Sequence, residues 1–272
     1  MNTMEIIKNR RSVRTFDGNK LRSEDVGAII EFAKTTGNPY NIPVKWCFLD
    51  AKVNGLSTPV IKGTDTFIAG KLNRCPHAEE AFGYSFEKIV LFAQSLGVGT
   101  TWIAGTMDRH SFEQAVELKP GEVMPCISPL GYPAAKMSIR ETIMRKGVKA
   151  DWRMDFSELF FDGSFDKPLT SENSGILSEA LEMVRWAPSA VNKQPWRVVV
   201  DGNKVHFYEK KAKGYVNPEG WDLQKVDLGI ALCHFHCGLE DRQINAEFVI
   251  ADPGIQKPQD VEYIASYVLQ ES

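Results

Sequence analysis

Two stretches of the chain share one pattern of apolar and polar positions. The first predicts a helix whose apolar face consists of Val26, Ile29, Ile30 and Ala33. The second predicts a helix with the matching positions Leu177, Ala180, Leu181 and Val184. A loop and an apolar, strand-like run follow each helix, at residues 46–49 and 198–200. Asn41 in the first loop corresponds to Asn192 in the second. The pattern therefore indicates an internal duplication, with coincidence as the alternative.

Further elements also occur once in each half. Helical spacing predicts one more helix in each, at residues 84–96 and 227–239. Each half then ends in a strand-like run, at residues 125–130 and 248–251. These pairs extend the repeated pattern over most of the chain.

Turn and cap residues mark the boundaries of these elements. Ser23 is the expected N-cap of the first helix, and Gly37-Asn38 is its expected stop. Asp201-Gly202-Asn203 predicts a hairpin turn after the second valine run. The polar stretch 162–174 is rich in turn formers and is the predicted linker. It divides the chain into a first half, residues 1–165, and a second half, residues 166–272.

Composition excludes several classes of protein. The net charge is −3, so no global field recruits nucleic acid or an anionic membrane. No apolar run approaches the roughly 20 residues that span a bilayer. Five cysteines are few and odd in number, which predicts free thiols in a reducing cytosol. The N-terminus has no apolar segment typical of a signal peptide, so a cytoplasmic location is expected.

Three segments carry candidate chemistry. The first is the basic cluster at the N-terminus, which has the hydroxyl of Ser12 inside it and consists of Lys8, Arg10, Arg11 and Arg14. Guanidinium groups bind phosphate bidentately, although a solvated charged face has the same composition. The second segment is the loop at residues 188–196, where two prolines bracket an Asn and a Gln that could recognise a heterocycle edge. An ordinary helix-to-strand turn is the alternative.

The third segment is the glycine-rich run at residues 97–105, which would let the backbone approach a ligand closely. It matches neither the dinucleotide fingerprint nor a Walker loop. Residues 233–237 (Cys-His-Phe-His-Cys) suggest a metal site. On a helix, however, the two histidines would point away from the face that the cysteines share, so no metal is predicted.

Together the three segments, with the Gly131-Tyr132-Pro133 strand end, resemble the FMN-dependent nitroreductase family and its single-chain branch, the TM nitroreductases. The family motifs are RRSxR, PSxxNxQPW and a glycine-rich G-x-G-T-x-W-I-x-G segment. The resemblance covers nearly the whole chain. It implies an α+β nitroreductase-like fold, with a central, mainly antiparallel sheet flanked by helices and two homologous halves that form a pseudo-dimer.

The resemblance also implies a role for each site residue. Arg10 and Ser12 would contact the FMN phosphate and ribityl chain, with Arg11 beside them, and Arg14 would approach the N1/O2 edge of the flavin. The backbone near flavin N5 and O4 would come from Ile103, Ala104 and Gly105. Ala104 stands where the family often has Glu. The other side of the ring would be covered by Pro188, Ser189 and Asn192. Arg153 would complete the phosphate site, with Arg140 and Lys136 as alternatives.

The two halves each carry only part of this motif set. RRSxR occurs in the first half and PSxxN in the second, so the resemblance implies a fused, asymmetric pseudo-dimer with one composite FMN site. Such a chain would be a monomer that behaves as an internal dimer.

The implied activity is that of an FMN-dependent oxidoreductase that uses NADH or NADPH to reduce nitroaromatic, quinone or other electron-poor acceptors. Two alternatives stay open. One is different flavin chemistry on the same fold, such as ene-reduction or flavin fragmentation. The other is a non-catalytic FMN-binding or sensing protein.

Overall fold

The two predicted helix–loop–strand stretches lie in separate units of the computed structural model, which describes residues 2–216 and 221–270. The first unit comprises Asn9–Ala150. The second comprises Asn2–Lys8, which holds most of helix α1 (Thr3–Asn9), together with the chain from Asp151 onward.

The first unit is built around a four-stranded sheet. Its elements in chain order are α2 (Ser23–Thr35), β1 (Lys45–Asp50), α3 (Ala51–Asn54), β2 (Thr66–Asn73), α4 (Ala78–Ser95), α5 (Arg109–Ala115), β3 (Glu122–Val123), β4 (Ile127–Leu130) and α6 (Ile139–Gly147). Strand β2 is central and pairs antiparallel with β1, β3 and β4. A core cluster around Phe67, Phe112 and Ile127 packs this sheet against α5.

The second unit contains a five-stranded sheet. Its elements after α1 are α7 (Phe156–Leu159), β5 (Phe160–Asp162), a 3-10 turn (Gly175–Leu177), α8 (Ser178–Trp186), a second 3-10 turn (Ala190–Asn192), β6 (Trp196–Asp201), β7 (Lys204–Lys210), α9 (Leu223–Asp241), β8 (Ala246–Val249) and β9 (Val261–Leu269). The strand order is β5-β6-β7-β9-β8, and only the β5–β6 pairing is parallel among the described strands. Phe207 of β7 packs on Phe235 of α9 and on Tyr267 of β9.

The two units share one connectivity. Each has a helix, an antiparallel strand pair, a long helix and a later strand that pairs with the second strand of the pair. These elements are α2-β1-β2-α4-β4 in the first unit and α8-β6-β7-α9-β9 in the second. Asn41 and Asn192 also share a left-handed backbone, with φ of 55° and 56°. The α+β, mainly antiparallel fold is therefore confirmed, and the duplication stays a prediction that this connectivity favours.

The predicted boundary between the halves differs from the division that the structure shows. Residues 162–174 are not a linker, because they fold within the second unit: Asp162 N–H donates to Lys167 O at 2.8 Å and Leu169 N–H to Phe160 O at 2.9 Å. The division lies at Ala150–Asp151 instead of 165–166. Residues 2–8, which were predicted in the first half, belong to the second unit. There the Thr3 hydroxyl donates to Asp241, at the end of α9, at 2.6 Å.

Element ends also differ from the expected caps. Ser23 is the first residue of α2 and its N-cap is Arg22, while the helix ends at Thr35, before Gly37. The two long helices begin earlier than predicted, at Ala78 and Leu223. The Asp201–Lys204 hairpin is confirmed. Within the described residues, no helix combines the length and the apolar character that crossing a membrane requires.

Candidate functional site

The N-terminal arginine motif is held beside the glycine-rich segment. Ser12 forms a parallel bridge with Thr100, and Val13 N–H donates to Thr100 O at 2.8 Å. Phe16 N–H then donates to Lys62 O at 2.8 Å. The motif therefore runs as an extended strand along the glycine-rich segment, with its position fixed by backbone hydrogen bonds.

Two glycines make this close approach possible. A Cβ on Gly99 would lie 2.9 Å from Val13 Cγ2, and one on Gly131 would lie 2.7 Å from Phe16 Cδ1. Both distances are too short for a real side chain, so the arginine strand requires these glycines. Tyr132, next to Gly131, donates its hydroxyl to Asp25 of α2. The Gly-Tyr-Pro strand end is thus part of the framework that holds the arginine motif.

Arg10 is a buried cation with unused donors. Its residue exposure is 8%, its Nε lies 3.9 Å from Glu87 Oε1, and its Nε and Nη1 find no hydrogen-bond acceptor among the described residues. Burial lowers the pKa of Arg10, the Glu87 carboxylate opposes that shift, and the charge of Arg145 adds to it. Glu87 also accepts a hydrogen bond from Trp102 Nε1 at 3.0 Å. A buried guanidinium with free N–H groups is suited to bind an anion.

A second arginine, Arg14, lies in the same electrostatic environment. Burial lowers the pKa of Arg14 and the charge of Arg145 lowers it further, while Glu141 raises it. Arg11 makes an ion pair with Glu141, at 2.9 Å between Nη1 and Oε1. Arg11 is therefore engaged by α6, and Arg145 is the positive charge that acts on both Arg10 and Arg14.

The end of the glycine-rich segment is clamped by one arginine. Ile103 bridges Ile127, and Arg109 donates to the carbonyls of Ala104 at 2.9 Å and Met124 at 2.7 Å. Among the described residues, no backbone carbonyl accepts the N–H of Ala104 or Gly105. The predicted flavin-facing residues thus have a fixed backbone and two N–H groups available to a ligand.

The PSxxN loop of the second unit is fixed by its own polar residues. Ser189 Oγ accepts the Gln194 N–H at 2.8 Å, and Asn192 Nδ2 donates to Trp152 O at 2.9 Å. Val191 has φ of 49°, an unusual value for a β-branched residue, and Gln194 has φ of 50°. Strained backbone of this kind persists only where its surroundings enforce it, and it concentrates at functional sites.

The three basic residues predicted to complete the phosphate site lie in different surroundings. Arg153 lies in the second unit, where it donates to the carbonyls of Trp152 and Trp186 and stacks on the Trp186 ring at 5.0 Å. Arg140 donates to Pro59 O at 2.5 Å on the surface, and Lys136 is exposed.

Arg145 is the cation that acts electrostatically on Arg10 and Arg14, and the sequence interpretation missed it. The sequence did contain a pattern that points to Arg145. Ser138 caps α6 by accepting the Glu141 N–H, and Glu141 and Arg145 are spaced as i and i+4 on that helix.

The Cys/His segment at residues 233–237 belongs to α9. His234 Nδ1 lies 2.9 Å from Met183 O, within hydrogen-bond distance, and His236 pairs with Glu240 on the same helix. Over residues 2–216 and 221–270, no group of three or more acidic, His or Cys side chains could hold a metal ion.

Comparison with solved structures shows the fold. It is similar to that of a putative nitroreductase from Thermotoga maritima MSB8, with a TM-score of 0.63 and 22% identity over 99% of this chain and 93% of that one. An FMN-dependent nitroreductase from Clostridium difficile R20291 covers 52% of this chain and 94% of its own, with a TM-score of 0.42 and 17% identity. A putative NADH oxidase from Clostridium acetobutylicum matches over 48% of this chain and 89% of its own length, with a TM-score of 0.42 and 23% identity.

Comparison with curated proteins gives no match. Comparison with protein families matches residues 2–239, in both units, to the family described as Putative TM nitroreductase. This match confirms the nitroreductase-like fold that the three motifs predicted, and the chain therefore belongs to that nitroreductase family.

Proposed function

We propose that the chain is an FMN-dependent oxidoreductase that takes electrons from NADH or NADPH and reduces electron-poor acceptors such as nitroaromatics and quinones. Family membership makes an oxidoreductase the expected class. One observation carries the assignment of the cofactor: Arg10 is buried, two of its nitrogens have no acceptor among the described residues, and Arg145 adds a second positive charge.

A phosphate monoester fits this arrangement. Like charges in a buried environment repel one another, and burial of unpaired N–H groups costs free energy. A dianionic phosphate would relieve both costs by accepting from Arg10, Ser12 and Arg145. We therefore assign Arg145, instead of Arg153, as the additional phosphate cation, with Arg11 holding α6 through Glu141.

The remaining residues of the first unit would serve the isoalloxazine ring. Arg14 would stabilise negative charge at the N1/O2 edge. The available N–H groups of Ala104 and Gly105 would donate near N5 and O4, with Ile103 fixed beside them. When bound, FMN supplies hydride transfer through N5, and the protein supplies orientation and electrostatics.

The second unit contributes its PSxxN loop in this proposal. Pro188, Ser189 and Asn192 would bind the same FMN, an assignment that rests on the sequence motif and on the rigidity of the loop. A second site is disfavoured because Arg185, the one arginine of α8, is held by Glu182 with two contacts of 2.7 Å. One FMN per chain is therefore expected.

An absorbance spectrum of the purified protein, followed by anaerobic titration with NADH and NADPH, tests the proposal. A flavin spectrum that bleaches with a nicotinamide and recovers with a nitroaromatic or quinone is the expected result. Reduced flavin that only an alkene reoxidises, or a flavin spectrum that is lost permanently after reduction, would favour the other flavin chemistry. A protein that binds FMN without reacting would be a sensing module, and one that takes up no FMN would contradict the proposal.

A further inference from the structure

Asp227 is a buried acid that contacts the PSxxN loop. It lies in α9, its residue exposure is 3%, and its two carboxyl oxygens are 3.1 and 3.0 Å from the backbone nitrogen of Ala190, which donates to them. Ala190 is the third residue of the Pro-Ser-Ala-Val-Asn motif. The acid therefore joins the long helix of the second unit to the middle of that loop.

Neighbouring charges make this position unfavourable for an acid. Burial raises the pKa of Asp227 well above its ordinary value, the negative charges of Asp222 and Glu209 raise it further, and the Ala190 N–H opposes the shift. A buried acid next to other acids costs stability. A gain in packing therefore does not explain the presence of Asp227 at this position.

The loop itself requires an external restraint. Directly after Ala190, Val191 and Asn192 both have positive φ, at 49° and 56°. Such conformations are unfavourable for residues other than glycine, and they persist only where their surroundings enforce them. The bond from Ala190 to Asp227 fixes the residue that precedes the strained pair, and so it holds the pair in place.

We propose that Asp227 is a positioning residue that holds the Ser189–Asn192 turn in the conformation that binds FMN. The inference rests on the proposed function, since it deepens the assignment of the PSxxN loop. Asp227 does not touch the cofactor in this scheme, and its action runs through the Ala190 N–H.

Three substitutions test this role through FMN affinity, measured by fluorescence titration of flavin-free protein. Asp227→Asn keeps an oxygen acceptor for the Ala190 N–H, whereas Asp227→Ala and Asp227→Leu remove it. We expect roughly ten- to hundredfold weaker FMN binding in the Ala and Leu variants, the range that follows when a shielded donor loses its partner. The Asn variant should bind FMN nearly as the wild type does. Glu240→Ala, at an exposed position of α9, is the matched control and should bind as the wild type does.

Hydrogen–deuterium exchange of the peptide that spans residues 188–194 gives a second readout, without flavin. Exchange should be faster in the Ala and Leu variants, while the melting temperature of Asp227→Leu stays at or above that of the wild type because a buried acid has been removed. Unchanged exchange in this peptide would overturn the inference. So would unchanged FMN affinity in both variants, provided that the wild type binds FMN. If no form binds FMN, the proposed function fails, and the exchange experiment alone decides the role of Asp227.

Discussion

Arg10 and Glu87 form a buried pair whose closest atoms, Nε and Oε1, are 3.9 Å apart, and both side chains are almost fully shielded from solvent. The pair links the N-terminal arginine motif to α4, and Glu87 extends the link to Trp102 of the glycine-rich segment. Its separation is longer than a hydrogen bond, so the Arg10 charge is only partly offset. Glu87 thus stabilises the cation without using up its donors.

Substitution of Glu87 by Gln should destabilise the flavin-free protein. The amide can still accept from Trp102, but the buried charge of Arg10 is then unopposed. We expect the free energy of unfolding to fall by roughly 1–3 kcal/mol. Added FMN or inorganic phosphate should restore more stability to this variant than to the wild type, because it supplies the missing negative charge.

Urea unfolding with and without these anions checks this expectation. Glu31→Gln is the matched control, since Glu31 makes an exposed ion pair with Lys34, and such a pair contributes little to stability. Equal stabilisation of Glu87→Gln and wild type by FMN would show that Glu87 has no electrostatic coupling to the anion site.

Arg14→Ala should lower the reduction potential of the bound flavin. In the proposed site Arg14 offsets the charge that reduction places at the N1/O2 edge, and loss of one such interaction costs roughly 2–4 kcal/mol. Arg14→Lys keeps the charge and should show a smaller shift. Dye-coupled redox titration measures the potential. A wild-type potential in an Arg14→Ala variant that still binds FMN would exclude this role.

Glu209 should make stability depend on pH. Burial, aided by Asp222, raises the pKa of Glu209 to about 7, and neither carboxyl oxygen has a hydrogen-bond partner among the described residues. An unfolded glutamate titrates near about 4.3. Between these values the folded protein binds the extra proton, so the free energy of unfolding decreases as pH rises through this window, by at most about 1.4 kcal/mol per pH unit.

Urea unfolding at intervals from pH 5 to pH 8 tests this dependence by the difference between wild type and Glu209→Gln. The comparison with the variant is needed because His206 acts in the opposite direction. Burial lowers the pKa of His206, so the unfolded protein binds this proton more readily than the folded protein does. The free energy of unfolding therefore increases with pH up to about 6.5 and opposes the Glu209 effect. The variant should lose the decrease between pH 5 and about pH 7. Parallel curves for the two proteins would mean that Glu209 is ionised in the folded state.

Local patterns in the sequence predicted much of the fold. The period of 3.6 residues located α2 and α8, and the Asp-Gly-Asn turn located the β6–β7 hairpin, because these features depend on neighbouring residues only. The sequence did not reveal β2, although it is the central strand of the first sheet. Its Lys71 is buried by bonds to Glu117 O at 2.7 Å and Glu122 at 3.1 Å, and these partners lie far away in sequence.

Candidate residues were predictable where a motif fixed them and were missed where burial decided their role. Arg10, Arg14 and Asn192 belong to motifs that are visible in the sequence. Glu87 and Asp227 are acids within helices, a position that usually faces solvent. The sequence also suggested that a helix begins at Asp227, whereas the N-cap of α9 is Asp222 and Asp227 lies inside the helix. Nothing local predicts that these acids are buried.

The stoichiometry of bound flavin tests the central proposal most directly. Flavin released by denaturation of the FMN-saturated protein is quantified by absorbance against the protein concentration, for the wild type, Arg10→Ala and Asn192→Ala. We predict one FMN per wild-type chain, with weaker occupancy of that single site in both variants. A ratio near two, or loss of FMN in one variant with wild-type affinity in the other, would contradict the assignment of a single site that needs both motifs.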